Sequence, residues 1–189
     1  MNALTLLLGG ARSGKSSLAV EMGLRFDGPV TYLATAAALD DDMTQRIARH
    51  RDERPADWHT IEEQTDLMGA LDAASADAPG TMTIIDCLTL WTTNLLMAGH
   101  TDDDVRSIAT ATAEHAARSA TPVVAISNEV GLGVHPETEL GRRYRDLLGW
   151  VNQAWASTAS ESLFLVAGRV LRLDDPWAAP GTRHDDAPT

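Results

Sequence analysis

The segment Gly9-Gly10-Ala11-Arg12-Ser13-Gly14-Lys15-Ser16 sets Gly9 and Gly14 with four residues between them and follows Gly14 at once with a lysine and a hydroxyl. Glycine permits positive φ, so successive backbone N–H groups can converge on one point and receive phosphate oxygens. A helix starting at Lys15 would add its positive end to that point. Lys15 is a compact cation able to reach β- and γ-phosphates, and the Ser16 hydroxyl is placed to ligate Mg2+. The spacing is that of a P-loop and predicts binding of a nucleoside triphosphate. The chain's fifteen basic residues comprise fourteen arginines and a single lysine, and that lysine is Lys15.

A triphosphate site of this kind calls for a carboxylate at the end of a neighbouring strand, where it holds Mg2+ directly or through water. Asp86 ends the apolar run Met82-Thr83-Ile84-Ile85 and meets that need. Alternatively Asp86 caps the helix that follows, and the two roles are compatible. A second group is Arg46, His50 and Arg54, spaced i, i+4, i+8, which a helix would stack on one face. Arginines there could neutralise a triphosphate while a neutral imidazole attacks phosphorus. Spacing alone fits a solvated charged face better. Asn128-Glu129 directly follows a predicted strand, where ligands of open α/β sheets bind, or else belongs to a turn whose glycines set the backbone.

These residues need elements to position them. Leu4 to Leu8 reads as a buried strand entering the Gly9-Gly10 turn, and Lys15 to Phe26 as a helix. Further strands are predicted at Val30–Ala34, Thr81–Asp86, Val123–Ile126 and Ser162–Val166. Helices are predicted over Thr44–Arg54, stopping at Pro55; over Asp66–Ser75 and Leu88–Met97; over Asp103–Ser119 with Asp102 as its cap; and from Pro136 or Glu137 onward. Short apolar strands alternating with helices predict an α/β fold, a mostly parallel sheet with helices on both faces.

The chain has 189 residues, enough for one core, and the expected organisation is a single domain over 1–173 with a disordered acidic tail over 174–189. No apolar run approaches the roughly 18 residues of a membrane span, and no secretory signal is evident at the N-terminus. Cys87 is the only cysteine, which excludes an intramolecular disulfide and a cysteine-rich zinc site and fits a cytoplasmic location. The net charge of −12 repels a polyphosphate backbone, so nucleic acid is not an expected partner.

Taken in order, the motifs resemble the bifunctional adenosylcobinamide kinase/adenosylcobinamide-phosphate guanylyltransferase family of cobalamin biosynthesis. After the P-loop come Tyr32-Leu33-Ala34-Thr35, then Asp41-Asp42 ahead of Arg46-Ile47, and His50-Arg51 with Arg54-Pro55 and Trp58. Farther on stand Asp86-Cys87-Leu88-Thr89, Thr93-Asn94-Leu95-Leu96, Asn128-Glu129-Val130-Gly131 with Gly133, Arg142 with Tyr144-Arg145-Asp146, and Val151-Asn152-Gln153. The resemblance runs over residues 4–168. It departs at His135, where relatives carry an aliphatic residue, and after Leu173, where the tail has no counterpart.

The resemblance implies a RecA-like P-loop fold, a homotrimer, and two reactions on one chain. In the first, ATP or GTP phosphorylates adenosylcobinamide. In the second, a histidine attacks the α-phosphorus of GTP, pyrophosphate leaves, and GMP passes to adenosylcobinamide phosphate, giving adenosylcobinamide-GDP. By its place in the motif His50 is the implied nucleophile, and an unperturbed histidine is substantially neutral at pH 7. Lys15 is the implied catalytic cation. Gly9, Gly10, Ala11, Arg12, Ser13, Gly14, Lys15, Ser16, Ala34, Thr35, Arg51, Arg54, Glu62 and Asp86 are implied nucleotide positions, with Ser16 and Asp86 on Mg2+. Two other readings are a P-loop small-molecule kinase with no covalent nucleotide step and a triphosphate-driven switch or motor. The second is disfavoured by the acidic charge and the lack of a basic stripe.

Overall fold

The computed structural model describes residues 4–37, 51 and 54–176. The predicted helix over Thr44–Arg54, including Arg46 and His50, lies almost wholly outside the described residues, as does the tail beyond Pro176. The strands are β1 (Leu4–Gly9), β2 (Val30–Ala34), β3 (His59–Glu62), β4 (Met82–Asp86), β5 (Val123–Ile126), β6 (Glu161–Val166) and β7 (Arg169–Leu173). The described helices are α1 (Lys15–Leu24), α2 (Leu67–Asp77), α3 (Leu88–Met97), α4 (Asp102–Ala117) and α5 (Glu139–Thr158).

All seven strands form one sheet in the order β3-β2-β4-β5-β1-β6-β7. Every pairing is parallel except β6 with β7. The carboxyl ends of β1 to β6 therefore share one edge, the edge at which open α/β sheets bind ligands. Alternation along the strands builds two cores. Leu4, Leu6, Leu33, Ile85 and Val123 face α2 to α5, whose apolar sides supply Leu71, Trp91, Ala109, Leu148 and Trp155. Leu7, Tyr32, Ile84, Val124 and Ile126 face Ala19 and Met22 of α1. Helices cover both faces, unequally among the described residues.

The structure adds β3 and β7 to the five predicted strands. It also corrects the cap of α4, which is Thr101 and not Asp102. Thr101 Oγ1 accepts from Asp104 N at 3.2 Å, and Asp104 Oδ2 accepts from Thr101 N at 2.9 Å, a reciprocal capping box that places Asp102 inside the helix. In α2 the residue expected to open the helix, Asp66, is its cap and accepts from Gly69 N at 3.0 Å. The last helix starts later than expected, at Glu139, with Thr138 accepting from Gly141 N.

Candidate functional site

β1 delivers the chain to the binding edge and Gly9 turns it. Gly9 has φ +148°, and a Cβ there would collide with the Leu165 carbonyl oxygen of adjoining β6, so only glycine fits. Arg12 adopts φ +57° and Gly14 φ +104°, completing the loop before α1. Gly10, Ala11 and Arg12 are exposed, whereas Ser13 is buried. Gly14 caps α1 without a side-chain hydrogen bond. The loop is anchored from outside by Gly168 N, in the β6–β7 turn, which donates to Ser13 O at 3.1 Å.

Lys15 is only 7% exposed, and its ammonium is held inside the loop. Its Nζ donates to Gly9 O at 2.9 Å, Gly10 O at 2.7 Å and Ser13 Oγ at 3.3 Å. Burial pushes its pKa down, while the Asp86 carboxylate opposes the shift. Ser16 Oγ donates to Asp86 Oδ2 at 3.4 Å, bringing the two expected Mg2+ ligands together across the end of the sheet.

Asp86 is not the cap of α3, so that alternative is set aside: the cap is Cys87, and its side chain makes no capping hydrogen bond. Asp86 instead accepts a hydrogen bond from the Tyr32 hydroxyl. Burial first, then the Asp86 carboxylate, raise the Tyr32 pKa and keep the phenol protonated. The Arg54 guanidinium lies over the Tyr32 ring, 3.8 Å from its centroid.

At the end of β2, Thr35 is buried and locks the strand to the start of α3. Its Oγ1 donates to Cys87 O at 2.8 Å and accepts from Cys87 N at 2.7 Å, while Thr35 N donates to Asp86 O at 3.0 Å. Asn94 Nδ2 reaches from α3 to Thr35 O at 2.8 Å and Gln64 O at 3.0 Å. Glu62 is exposed at the end of β3, in register with Ala34. Arg51 is exposed as well.

The Asn128-Glu129 segment is pinned to this edge from three sides. Asn128 N donates to Thr89 Oγ1 at 2.9 Å, Glu129 N to Gly9 O at 3.1 Å, and Asn152 Nδ2 to Asn128 O at 3.0 Å. Lys15, Ser16, Ala34, Thr35, Arg54, Glu62 and Asp86 thus gather at one edge of the sheet. His50 falls outside the described residues. The sequence reading missed Tyr32, Thr89 and Asn94 as organisers of this edge. Alternation carries the available signal for Tyr32: it pairs with Ile84, two residues before Asp86, which puts its side chain and Asp86 on the same face.

The oxygens present fit a hard cation such as Mg2+. One carboxylate and one hydroxyl converge, and no group of three or more His, Cys, Asp or Glu able to hold a metal exists among the described residues. Such an ion is normally completed by substrate phosphates and water. A P-loop after the first strand, a hydroxyl–carboxylate pair across the sheet and a mostly parallel sheet define a RecA-like P-loop nucleotide-binding protein. The chain belongs to the cobinamide kinase/cobinamide phosphate guanyltransferase family, whose model matches residues 5–173.

Two relatives are called bifunctional adenosylcobalamin biosynthesis proteins. The one from Pseudomonas aeruginosa, CobP, is 44% identical, the match covering 89% of this chain and 95% of the relative. The one from Salmonella typhimurium, CobU, is 39% identical, over 87% and 96% respectively. Among solved structures, an ATPase from a type III secretion system superposes with TM-score 0.54 at 12% identity, over 86% of this chain and 51% of that one. A Pyrococcus horikoshii protein superposes with TM-score 0.57 at 7% identity, over 91% of each chain. At these identities the two structures speak for the fold alone.

Proposed function

We infer that this protein is a bifunctional enzyme of cobalamin biosynthesis that phosphorylates adenosylcobinamide with ATP or GTP and then transfers GMP from GTP to the phosphorylated product. The observation that carries the reading is the grouping of Lys15, Ser16 and Asp86 at one sheet edge, in a chain that the family model matches from residue 5 to 173. In the kinase step the loop amides, the positive end of α1 and Lys15 gather the triphosphate, with Lys15 exchanging its loop acceptors for phosphate oxygens. A bound Mg2+, held by Ser16 and Asp86, would neutralise charge on the phosphates.

In the second step a neutral His50 nitrogen forms a bond to the α-phosphorus as the α–β oxygen bridge breaks and pyrophosphate leaves. A phosphate oxygen of adenosylcobinamide phosphate then attacks the same phosphorus, the P–N bond breaks, and His50 is returned. Arg51, Arg54 and Glu62, with Ala34 and Thr35, serve as nucleotide contacts. The active form is a cytoplasmic homotrimer, its catalytic domain spanning 1–173 and its acidic tail 174–189.

The test is incubation with GTP labelled at the α-phosphate. The expected product is protein carrying acid-labile, base-stable label, as a phosphoramidate gives. In His50→Ala the label disappears while phosphorylation of adenosylcobinamide survives at least in part. An unlabelled wild-type chain with intact kinase activity would remove the transferase half and leave a simple P-loop kinase.

A further inference from the structure

We propose that Asn152 is a positioning residue for the nucleotide site: it holds the Ser127-Asn128-Glu129 segment so that the Glu129 amide stays on Gly9 O, and Lys15 can leave that carbonyl for a phosphate without stranding it. The proposal rests on the exchange of Lys15 from loop to phosphate inferred above, and it gives the Asn128-Glu129 motif a task.

Asn152 is 7% exposed and shares the buried side of α5 with Leu148, Val151 and Trp155. An amide in such company must find partners for its donor and its acceptor. Asn152 uses both on one segment. Its Oδ1 accepts from Ser127 Oγ at 2.6 Å, and its Nδ2 donates to Asn128 O at 3.0 Å. Ser127 is itself fully buried, and its N donates to Leu7 O at 2.9 Å, so the segment leaves β5 still joined to β1. Two residues on, Glu129 N donates to Gly9 O at 3.1 Å.

The buried Gly9 O therefore receives two donors, Glu129 N and the Lys15 ammonium at 2.9 Å. Gly10 O is built the same way, with Ser13 N at 3.4 Å beside the ammonium at 2.7 Å. A carbonyl oxygen has two lone pairs, and a buried one left with no donor is costly. Because each keeps a main-chain donor, the ammonium can move to a phosphate and orphan neither carbonyl. Ser13 N comes from within the loop. Glu129 N comes from the end of another strand and depends on what holds it there: Thr89 Oγ1 from α3, at Asn128 N, and Asn152 from α5, at Asn128 O.

Lys15 is the only lysine, so the untagged chain grown with lysine carrying 13C at its ε-carbon gives one methylene signal, which reports the surroundings of the ammonium. The signal is recorded for wild type, Asn152→Leu, Ser127→Ala and Thr81→Val. Each is taken free and with Mg2+ and a GTP analogue bearing an imido bridge between the β- and γ-phosphorus, whose dissociation constant is measured alongside. Thr81 is the control, buried and hydrogen-bonded to Pro29 O at the amino end of β4, away from the site. We expect Asn152→Leu to displace the signal of the free protein and to weaken analogue binding about 5- to 20-fold, the scale of one hydrogen bond to a buried carbonyl. Ser127→Ala leaves Nδ2 on Asn128 O but removes the donor that orients the amide, and should weaken binding about 2- to 5-fold. Thr81→Val should lower the melting temperature while signal and affinity stay those of wild type.

A wild-type signal and affinity in Asn152→Leu overturn the proposal. So does an equal change in Thr81→Val, which would make the effect one of general stability. Should Asn152→Leu fail to fold, Ser127→Ala decides by the same two readings. Failure of the underlying exchange is separately visible, because the analogue would then leave the wild-type signal unmoved.

Discussion

Lys15 is the chain's only lysine, and the reason lies in its surroundings. Three acceptors within 3.3 Å enclose its ammonium, two of them main-chain carbonyls that cannot move aside without deforming the loop. A forked, planar guanidinium does not fit there. Lys15→Arg should lower the turnover number of the kinase step by about 10²–10³, the usual cost of removing an electrostatic stabiliser, and steady-state assays at saturating nucleotide will show it. Thr35 has a structural burden of comparable directness. Thr35→Val leaves Cys87 N without its side-chain acceptor, and denaturant titration should record a loss of about 1–3 kcal/mol. The Cys87 thiol beside it is pushed up to about 12 by burial, so it stays protonated near neutrality.

Lys15 and Ser16 were legible in the sequence because glycine spacing states the geometry directly. Tyr32 was not, because a tyrosine in a buried strand reads as apolar packing, and its hydroxyl partner is 54 residues away. Acid will also act at this scale, through Glu63. Backbone N–H groups of Thr65 and Asp66 hold its carboxyl below the ordinary value of 4.5. A group with a depressed folded pKa contributes stability that is present above its unfolded pKa and lost as pH falls through the folded one. Glu63→Gln should therefore narrow its stability gap to wild type as pH is lowered below that value, measured by thermal melts between pH 6 and about 3.

Among the elements, the parallel strands β1, β2, β4, β5 and β6 were readable because each is an apolar run with turn residues at its ends. The two missed strands lack that signature. His59-Thr60-Ile61-Glu62 is four residues long with Ile61 its one apolar side chain, and it becomes a strand because β2 offers an unpaired edge. Arg169–Leu173 is exposed along its whole length and forms through a tight return after Ala167-Gly168, both at positive φ. The cap of α4 was misread by one residue since three consecutive aspartates compete with a threonine, and the threonine completes the reciprocal box. Contacts between elements also explain a helical glycine. A Cβ on Gly23 of α1 would collide with the Trp58 ring, which fills the space between α1 and Ile84. Gly23→Ala should cost about 1–3 kcal/mol through overpacking despite alanine's better helix propensity, a sign that calorimetric unfolding will distinguish.

At the scale of the whole molecule, the proposed trimer has a direct reading: sedimentation equilibrium should return about three times the 20.3 kDa of one chain. The layered α/β architecture was foreseeable from strand–helix alternation, but the strand order was not, because nothing in local sequence says which strands become neighbours. That order has a consequence for how the protein comes into being. β1 precedes every other described element, yet its two neighbours in the sheet are β5 and β6, and the loop after it is tied to Gly168 by Ser13 O. A ribosome releasing the chain from its N-terminus exposes the P-loop early and the partners that shape it more than a hundred residues later. A nascent chain cannot grip a triphosphate until β5 and β6 have been made, so competence to bind nucleotide arrives together with the sheet around β1.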